Sequence, residues 1–223
     1  MLATLGETLP LAIGIAISPV PIIAAILMLL SPRAKQASPA FLIGWVVGVL
    51  AVTSIFVLLG AAIDSTEDGD SKPIQGVIKL LLGAILIALA VKQFRGRPKS
   101  DEPAKMPNWM NAINSMPPAK TLGLGALLAG VNPKNLILAA SAGIIISGSG
   151  LETVESIVTI IVFTIIASVT VGAPIIGYLL APERFGRPLE VIRVWLELNN
   201  ATVMAVVLLV LGFSVIGKGL GNF

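Results

Sequence analysis

The chain has 223 residues, 56% of them hydrophobic and only 12% charged, where an ordinary soluble domain carries about a quarter charged residues. It has no cysteine and no histidine. That excludes disulfides, thiol relays, His-ligated haem, zinc sites of the Cys/His kind and a Ser-His-Asp hydrolase. The formal net charge is +3, and no cofactor, metal or nucleic-acid partner is expected.

Long, continuous apolar runs decide the class. Several windows hold roughly 20 apolar residues, enough to cross a hydrocarbon core of about 30 Å. The runs do not alternate, which argues against an outer-membrane barrel. The expectation is an all-α membrane protein with six transmembrane helices, at 8–30, 38–63, 73–93, 121–147, 153–180 and 197–217.

The first span follows Met1-Leu2-Ala3-Thr4, which has no basic stretch of the kind that opens a cleaved signal, so it reads as a retained helix. It contains Ser18-Pro19-Val20-Pro21 near its middle. Proline removes a backbone donor and clashes with the preceding turn, so a helix break is expected there. The connection to the second span carries Arg33 and Lys35. Gly44 and Gly48 in the second span form a small-xxx-small pair that lets helices approach closely.

The second connection, Asp64-Ser65-Thr66-Glu67-Asp68-Gly69-Asp70, is acidic. In the third span Gly76, Gly83 and Ala90 recur at heptad spacing and also read as a packing face. The third connection, 94–120, contains Pro98, Pro103, Pro107, Pro117 and Pro118 among Arg95, Arg97, Lys99, Lys105 and Lys120. It reads as a cytoplasmic linker that buries little.

The fourth span repeats the pattern of the first. Asn132-Pro133-Lys134-Asn135 breaks it near the middle, after a small polar residue and before an apolar run. Lys134 is the one charge placed deep in a span. At a helix centre it costs roughly 2.5–3.5 kcal/mol on insertion scales and is a functional-site candidate by default. Its structural reading is a lysine bonded to carbonyls freed by Pro19, Pro21 or Pro133. Lys79, Lys92 and Glu7 are expected to reach an interface by snorkelling.

The fourth connection has no Lys or Arg. In the fifth span Thr164, Ser168 and Thr170 are expected to bond to backbone carbonyls, and Pro174 to kink the helix. The fifth connection carries Arg184, Arg187 and Arg193, and Pro188–Leu196 reads as a short interfacial helix. Asn199 and Asn200 then open the sixth span, either as an N-cap in an interfacial belt or as part of a gate.

Connections one, three and five are basic, and two and four are not. Basic loops prefer the cytoplasm, so both termini are expected outside. Three spans on either side of the basic linker give two halves of opposite orientation: 1–93 as the first repeat, 94–120 as the linker, 121–223 as the second repeat. Matching breaks in inverted halves are the best sequence pointer to a transport site near the bilayer midplane. Candidate substrate-binding residues are Lys134, Asn132, Asn135, Ser18, Asn199 and Asn200, with helix breaks at Pro19, Pro21 and Pro133. No nucleotide-binding loop and no nucleophile–base pair is visible, so the chain is not expected to be an enzyme.

Pro19-Val20-Pro21 resembles the Pro-Gly-Pro element of the LysE superfamily of exporters, with Val20 in place of glycine, and Asn132-Pro133-Lys134 resembles the element that opens that superfamily's second half. The chain is most similar to the peptidoglycolipid and sulfolipid addressing proteins (the GAP, or Sap, family) along Ile17–Ile23, Gly130–Asn135 and Trp195–Asn200. The resemblance implies a bacterial inner-membrane protein that carries glycolipids toward the cell surface, alongside a larger lipid exporter, with a homodimer as a further implication. Its partners are then membrane lipids and an amphiphilic substrate. Two alternatives stay open: a small-solute exporter for amino acids or cations, and a non-transporting accessory subunit. Few polar residues line the spans, which suits lipid tails better than a hydrated solute.

Overall fold

The computed structural model describes residues 1–64, 71–97, 113 and 116–221. Most of the acidic connection and most of the 94–120 linker lie outside the described residues. Among the described residues the chain is all-helical, in the order α1 (Leu2–Ala16), α2 (Pro19–Leu29), α3 (Ala34–Asp64), α4 (Ser71–Arg95), α5 (Pro118–Gly130), α6 (Pro133–Ser147), α7 (Thr153–Leu180) and α8 (Pro182–Leu220).

Four of these, α3, α4, α7 and α8, are long and apolar enough to cross a membrane alone. The other four form two bent pairs. α1 and α2 meet at 51°, and α5 and α6 at 63°, which gives up to six spans if each pair is one crossing. Both breaks fall where the sequence places proline, and the reason is local. Pro19 and Pro133 open α2 and α6 at the first helical position, where a missing N–H costs nothing. The residues before them, Ser18 and Asn132, take extended conformations, as a residue preceding proline prefers.

The sixth span differs from expectation. Pro188–Leu196 is not a separate interfacial helix. It is the first part of α8, one helix of 39 residues. Pro188 is the seventh residue of α8 and lies inside the helix, and Arg193 bridges Glu190 and Glu197 along the same face. Asn199 and Asn200 are therefore helix-interior residues and not an N-cap. α7 runs from Thr153 to Leu180 with Pro174 inside it.

The helices pack in a crossed pattern. α3 lies on α5 and α6, α7 lies on α1 and α2, and α4 pairs with α8. The closest approaches use glycine. A Cβ on Gly44 of α3 would stand 1.9 Å from the Leu122 carbonyl oxygen, and one on Gly125 of α5 would stand 2.3 Å from the Phe41 carbonyl oxygen. In the other pair, a Cβ on Gly83 would stand 2.9 Å from the Gly212 carbonyl oxygen. Lipid supplies no hydrophobic drive between helices, so this close backbone contact is what holds them.

The outer surface is apolar. Leu58, Val154, Ile165, Leu198 and Val210 are all exposed, as expected for helices that face hydrocarbon chains. The two ends of the bundle are set by contacts between distant segments. Lys218 donates to the Glu7 carbonyl, so the start of α1 and the end of α8 share one end. At the other end an open pocket of 380 Å³ is lined by Ser31 and Arg33 of the first connection, Lys35 and Gln36 at the start of α3, Tyr178 near the end of α7 and Pro182 at the start of α8.

Candidate functional site

The site lies where the two breaks meet. In an unbroken helix the Gly14 carbonyl would accept from Ser18 N–H. At the break that N–H turns back to the Ile15 carbonyl at 3.1 Å. The Lys134 ammonium takes the freed acceptor, donating to the Gly14 carbonyl oxygen at 2.7 Å. In the second half the equivalent acceptor is Leu128, four residues before Asn132. Asn135 Nδ2 donates to it at 3.0 Å. Two carbonyls at matching positions of the two breaks are thus both served by consecutive residues in the first turn of α6.

The same turn joins the halves a second time. Ser18 Oγ donates to Asn135 Oδ1 at 3.0 Å. Asn132 closes its own helix, its side-chain oxygen accepting the Lys134 N–H at 3.2 Å. The Ala16 carbonyl, at the last turn of α1, accepts from Thr170 of α7. Ser18, Lys134 and Asn135 are 1%, 2% and 0% exposed, so none reaches the outside of the bundle.

Electrostatics run in opposite directions on the two sides of the lysine. It belongs to the first turn of α6, whose N-terminal dipole repels a cation, while its ammonium sits at the C-terminal turn of α1, whose dipole attracts one. Gly14 brings the α1 backbone close: a Cβ there would meet Leu211 Cδ1 at 2.2 Å and Leu138 Cδ1 at 3.0 Å. An ammonium has three donors. Among the described residues, its one hydrogen bond is to Gly14, and no carboxylate pairs with it. The structural reading of this lysine is therefore realised by one bond, and two donors are left over.

The remaining sequence candidates lie elsewhere. Pro21 is buried at the start of α2. Asn199 Nδ2 bonds back to the Trp195 carbonyl at 2.9 Å, and Asn200 Oδ1 is buried without a partner. Leu211 is the α8 residue beside Gly14, and the asparagines precede it by eleven or more positions on one straight-numbered helix, about 17 Å along the axis at 1.5 Å per residue. The structure does not bring them into the Lys134 cluster.

One expectation is corrected: Thr164 and Ser168 do not bond to backbone carbonyls, both hydroxyls being buried without a partner. Thr170 does bond to one, the Ala16 carbonyl of α1. Lys79 is buried among the helices, within electrostatic reach of Glu7 near the start of α1. Sequence reasoning also left out Gly14, because its part is played by a backbone carbonyl, which no residue type announces. The heptad spacing of Gly76, Gly83 and Ala90 did point to a real contact, the face of α4 on α8.

A multi-pass helical bundle with an apolar exterior, two broken spans and a buried ammonium at their junction is a membrane protein whose polar chemistry lies inside it. The family model described as Sap, sulfolipid-1-addressing protein, matches residues 8–221, and the chain belongs to that family. No curated protein and no solved structure matches.

Proposed function

We propose that the chain exports or flips an amphiphile, a glycolipid by the family's printed description, with its polar head passing Lys134 and its tails in lipid. The observation that carries this reading is the buried ammonium at the meeting point of two helix breaks, with two donors in excess of its single protein bond. A charge held in a bilayer interior marks a substrate path more often than a packing device. Anionic or sugar oxygens on a lipid head match a group that only donates.

The crossed packing supports two inverted halves, 1–93 and 121–223. α3 sits on the broken pair of the second half, α7 on the broken pair of the first, and the third spans pair with each other, as exchange about an axis in the membrane plane requires. With the basic connections in the cytoplasm, both termini lie outside, and the membrane is the bacterial inner membrane. Transport, not catalysis, is the chemistry assigned.

One observation favours an accessory role instead: Lys134 already satisfies the end of α1, so a structural lysine accounts for the bond that is seen. Reconstitution separates the readings. Purified protein in liposomes is assayed in parallel for transbilayer movement of a fluorescent sulfated glycolipid and for amino-acid efflux. The proposal requires lipid movement that Lys134→Gln abolishes in folded protein. Lipid movement unchanged by Lys134→Gln assigns the lysine to structure, and efflux of amino acids alone assigns the chain to small solutes.

A further inference from the structure

Most buried hydroxyls among the described residues have a hydrogen-bond partner. Thr8, Ser38, Thr53 and Thr159 each donate to the carbonyl four residues back, at 2.9, 2.7, 2.9 and 2.7 Å, the usual way for a membrane helix to silence a hydroxyl. Ser141 of α6 and Thr164 and Ser168 of α7 do not. All three are more than nine-tenths buried and have no partner, and the indole Nε1 of Trp45 on α3 shares that state. An unpaired polar group in hydrocarbon costs several kcal/mol by transfer scales, so orphans are expected to be scattered and rare, not gathered.

These four are gathered. On α6 the period of roughly 3.6 residues puts Lys134, Leu138 and Ser141 on one face, and that face meets α1 at Gly14. Gly143, on the opposite face, packs on Phe56 of α3. On α7, Thr170 points to α1 and Gly172 faces Leu42 of α3. Thr164 and Ser168, one turn apart, point between those two directions, toward the space that α6 closes by packing on both α1 and α3.

Their heights agree as well. Thr170 meets Ala16, and Tyr178 reaches the pocket at Ser31, so α7 runs in the same sense as the α1–α2 pair. Ser168 then stands level with Gly14 and the Lys134 ammonium, and Thr164 about one turn nearer the start of α1. Ser141 stands one to two turns along α6 in that same direction. Trp45 follows Leu42, the neighbour of Gly172, by one turn of the antiparallel α3, which places it near the height of Ser168.

We propose that Ser168, Thr164 and Ser141, with Trp45, line a water-holding passage that runs from the Lys134 ammonium toward the end of the bundle where α1 begins and α6 ends. Water supplies the acceptors and donors that the backbone does not. The passage gives the polar head of a substrate a hydrated route over one half of the bilayer while its tails stay outside. This goes beyond the transport reading, because wetting is measured without any transport assay.

The chain has no native cysteine, so single Ser141→Cys, Thr164→Cys and Ser168→Cys proteins in oriented vesicles report directly on water. The probe is a membrane-impermeant methanethiosulfonate. Ala139→Cys, buried on the α3 side of α6, and Ile165→Cys, exposed to lipid, are the dry references. The three passage thiols are expected to react about tenfold or more faster than either reference, since only a wetted thiol ionises and attacks. Equal, slow labelling at all five overturns the proposal, whether or not Lys134→Gln abolishes lipid movement. A second readout is Thr164→Val, which keeps the shape of the side chain. In a dry interior it removes an orphan hydroxyl and raises Tm, which also overturns the proposal, whereas an unchanged or lowered Tm supports it.

Discussion

Lys134 and Gly14 are 120 residues apart, and the ammonium of one donates to the carbonyl of the other at 2.7 Å. The bond joins the first turn of α6 to the last turn of α1, so the two broken spans meet at their breaks. It exists because Ser18 N–H turns away from Gly14 at the break, and it ties the charge to a backbone group that no mutation of side chains removes.

Lys134→Met removes the charge and keeps most of the volume, and Lys134→Ala removes both. Each leaves the Gly14 carbonyl unpaired, at about 1–3 kcal/mol, but Met also ends the desolvation of a buried cation, which opposes that loss. Thermal unfolding in detergent is expected to leave Lys134→Met within a few degrees of wild type and to place Lys134→Ala clearly below it, because Ala adds a cavity. A Met variant as unstable as the Ala variant would show that the bond to Gly14 outweighs the buried charge.

Ser18 and Asn135 form the second link between the breaks, at 3.0 Å. Asn135→Leu strands both the Ser18 hydroxyl and the Leu128 carbonyl, whereas Ser18→Ala strands only one acceptor that keeps other lone pairs. Asn135→Leu is expected to be the more destabilising by about 1–2 kcal/mol. A double-mutant cycle on unfolding should give a coupling near 0.6 kcal/mol, the average for interhelical hydrogen bonds in membranes. Zero coupling would mean that the two side chains do not meet in the membrane.

Gly44 faces the Leu122 carbonyl with no room for a side chain, while Gly123, one residue along α5, has nothing within 4 Å of a Cβ. Gly44→Val is expected to separate α3 from α5 and to lower the yield of monodisperse protein severely. Gly123→Ala is expected to be neutral or slightly stabilising, by up to about 1 kcal/mol from helix propensity. Chromatographic yield and Tm of the two variants check both halves of this statement.

Arg193 bridges Glu190 and Glu197 on a partly exposed face of α8. Such pairs are screened by water and contribute about 0.2–1 kcal/mol. Arg193→Ala is expected to lower Tm only slightly, with a deficit that shrinks further as salt is raised. A large, salt-independent loss would place this network in a drier setting than its exposure indicates.

Much of this fold is written in hydropathy. Four spans, the two breaks and the glycine faces follow from apolar run length, from proline chemistry and from residue size, all of which act within a few residues of one another. Lys134 stood out for the same reason, as a cation where its neighbours are oily. The continuity of α8 was not legible, because Pro188 and the charged stretch Glu190–Glu197 look locally like an interface, while α8 runs through them as one helix that packs on α4 further along.

What the sequence determined by itself is where the chain must leave the helix and which residue bears a charge there, since donor loss at proline and the desolvation of an amine are local costs. What only the tertiary structure decided is which groups answer them. Gly14, Leu128 and Ala16 became acceptors because other helices brought Lys134, Asn135 and Thr170 to them. Ser141, Thr164 and Ser168 were left without partners by the same packing. A hydrogen bond depends on distance and direction in space, and separation along the chain sets neither.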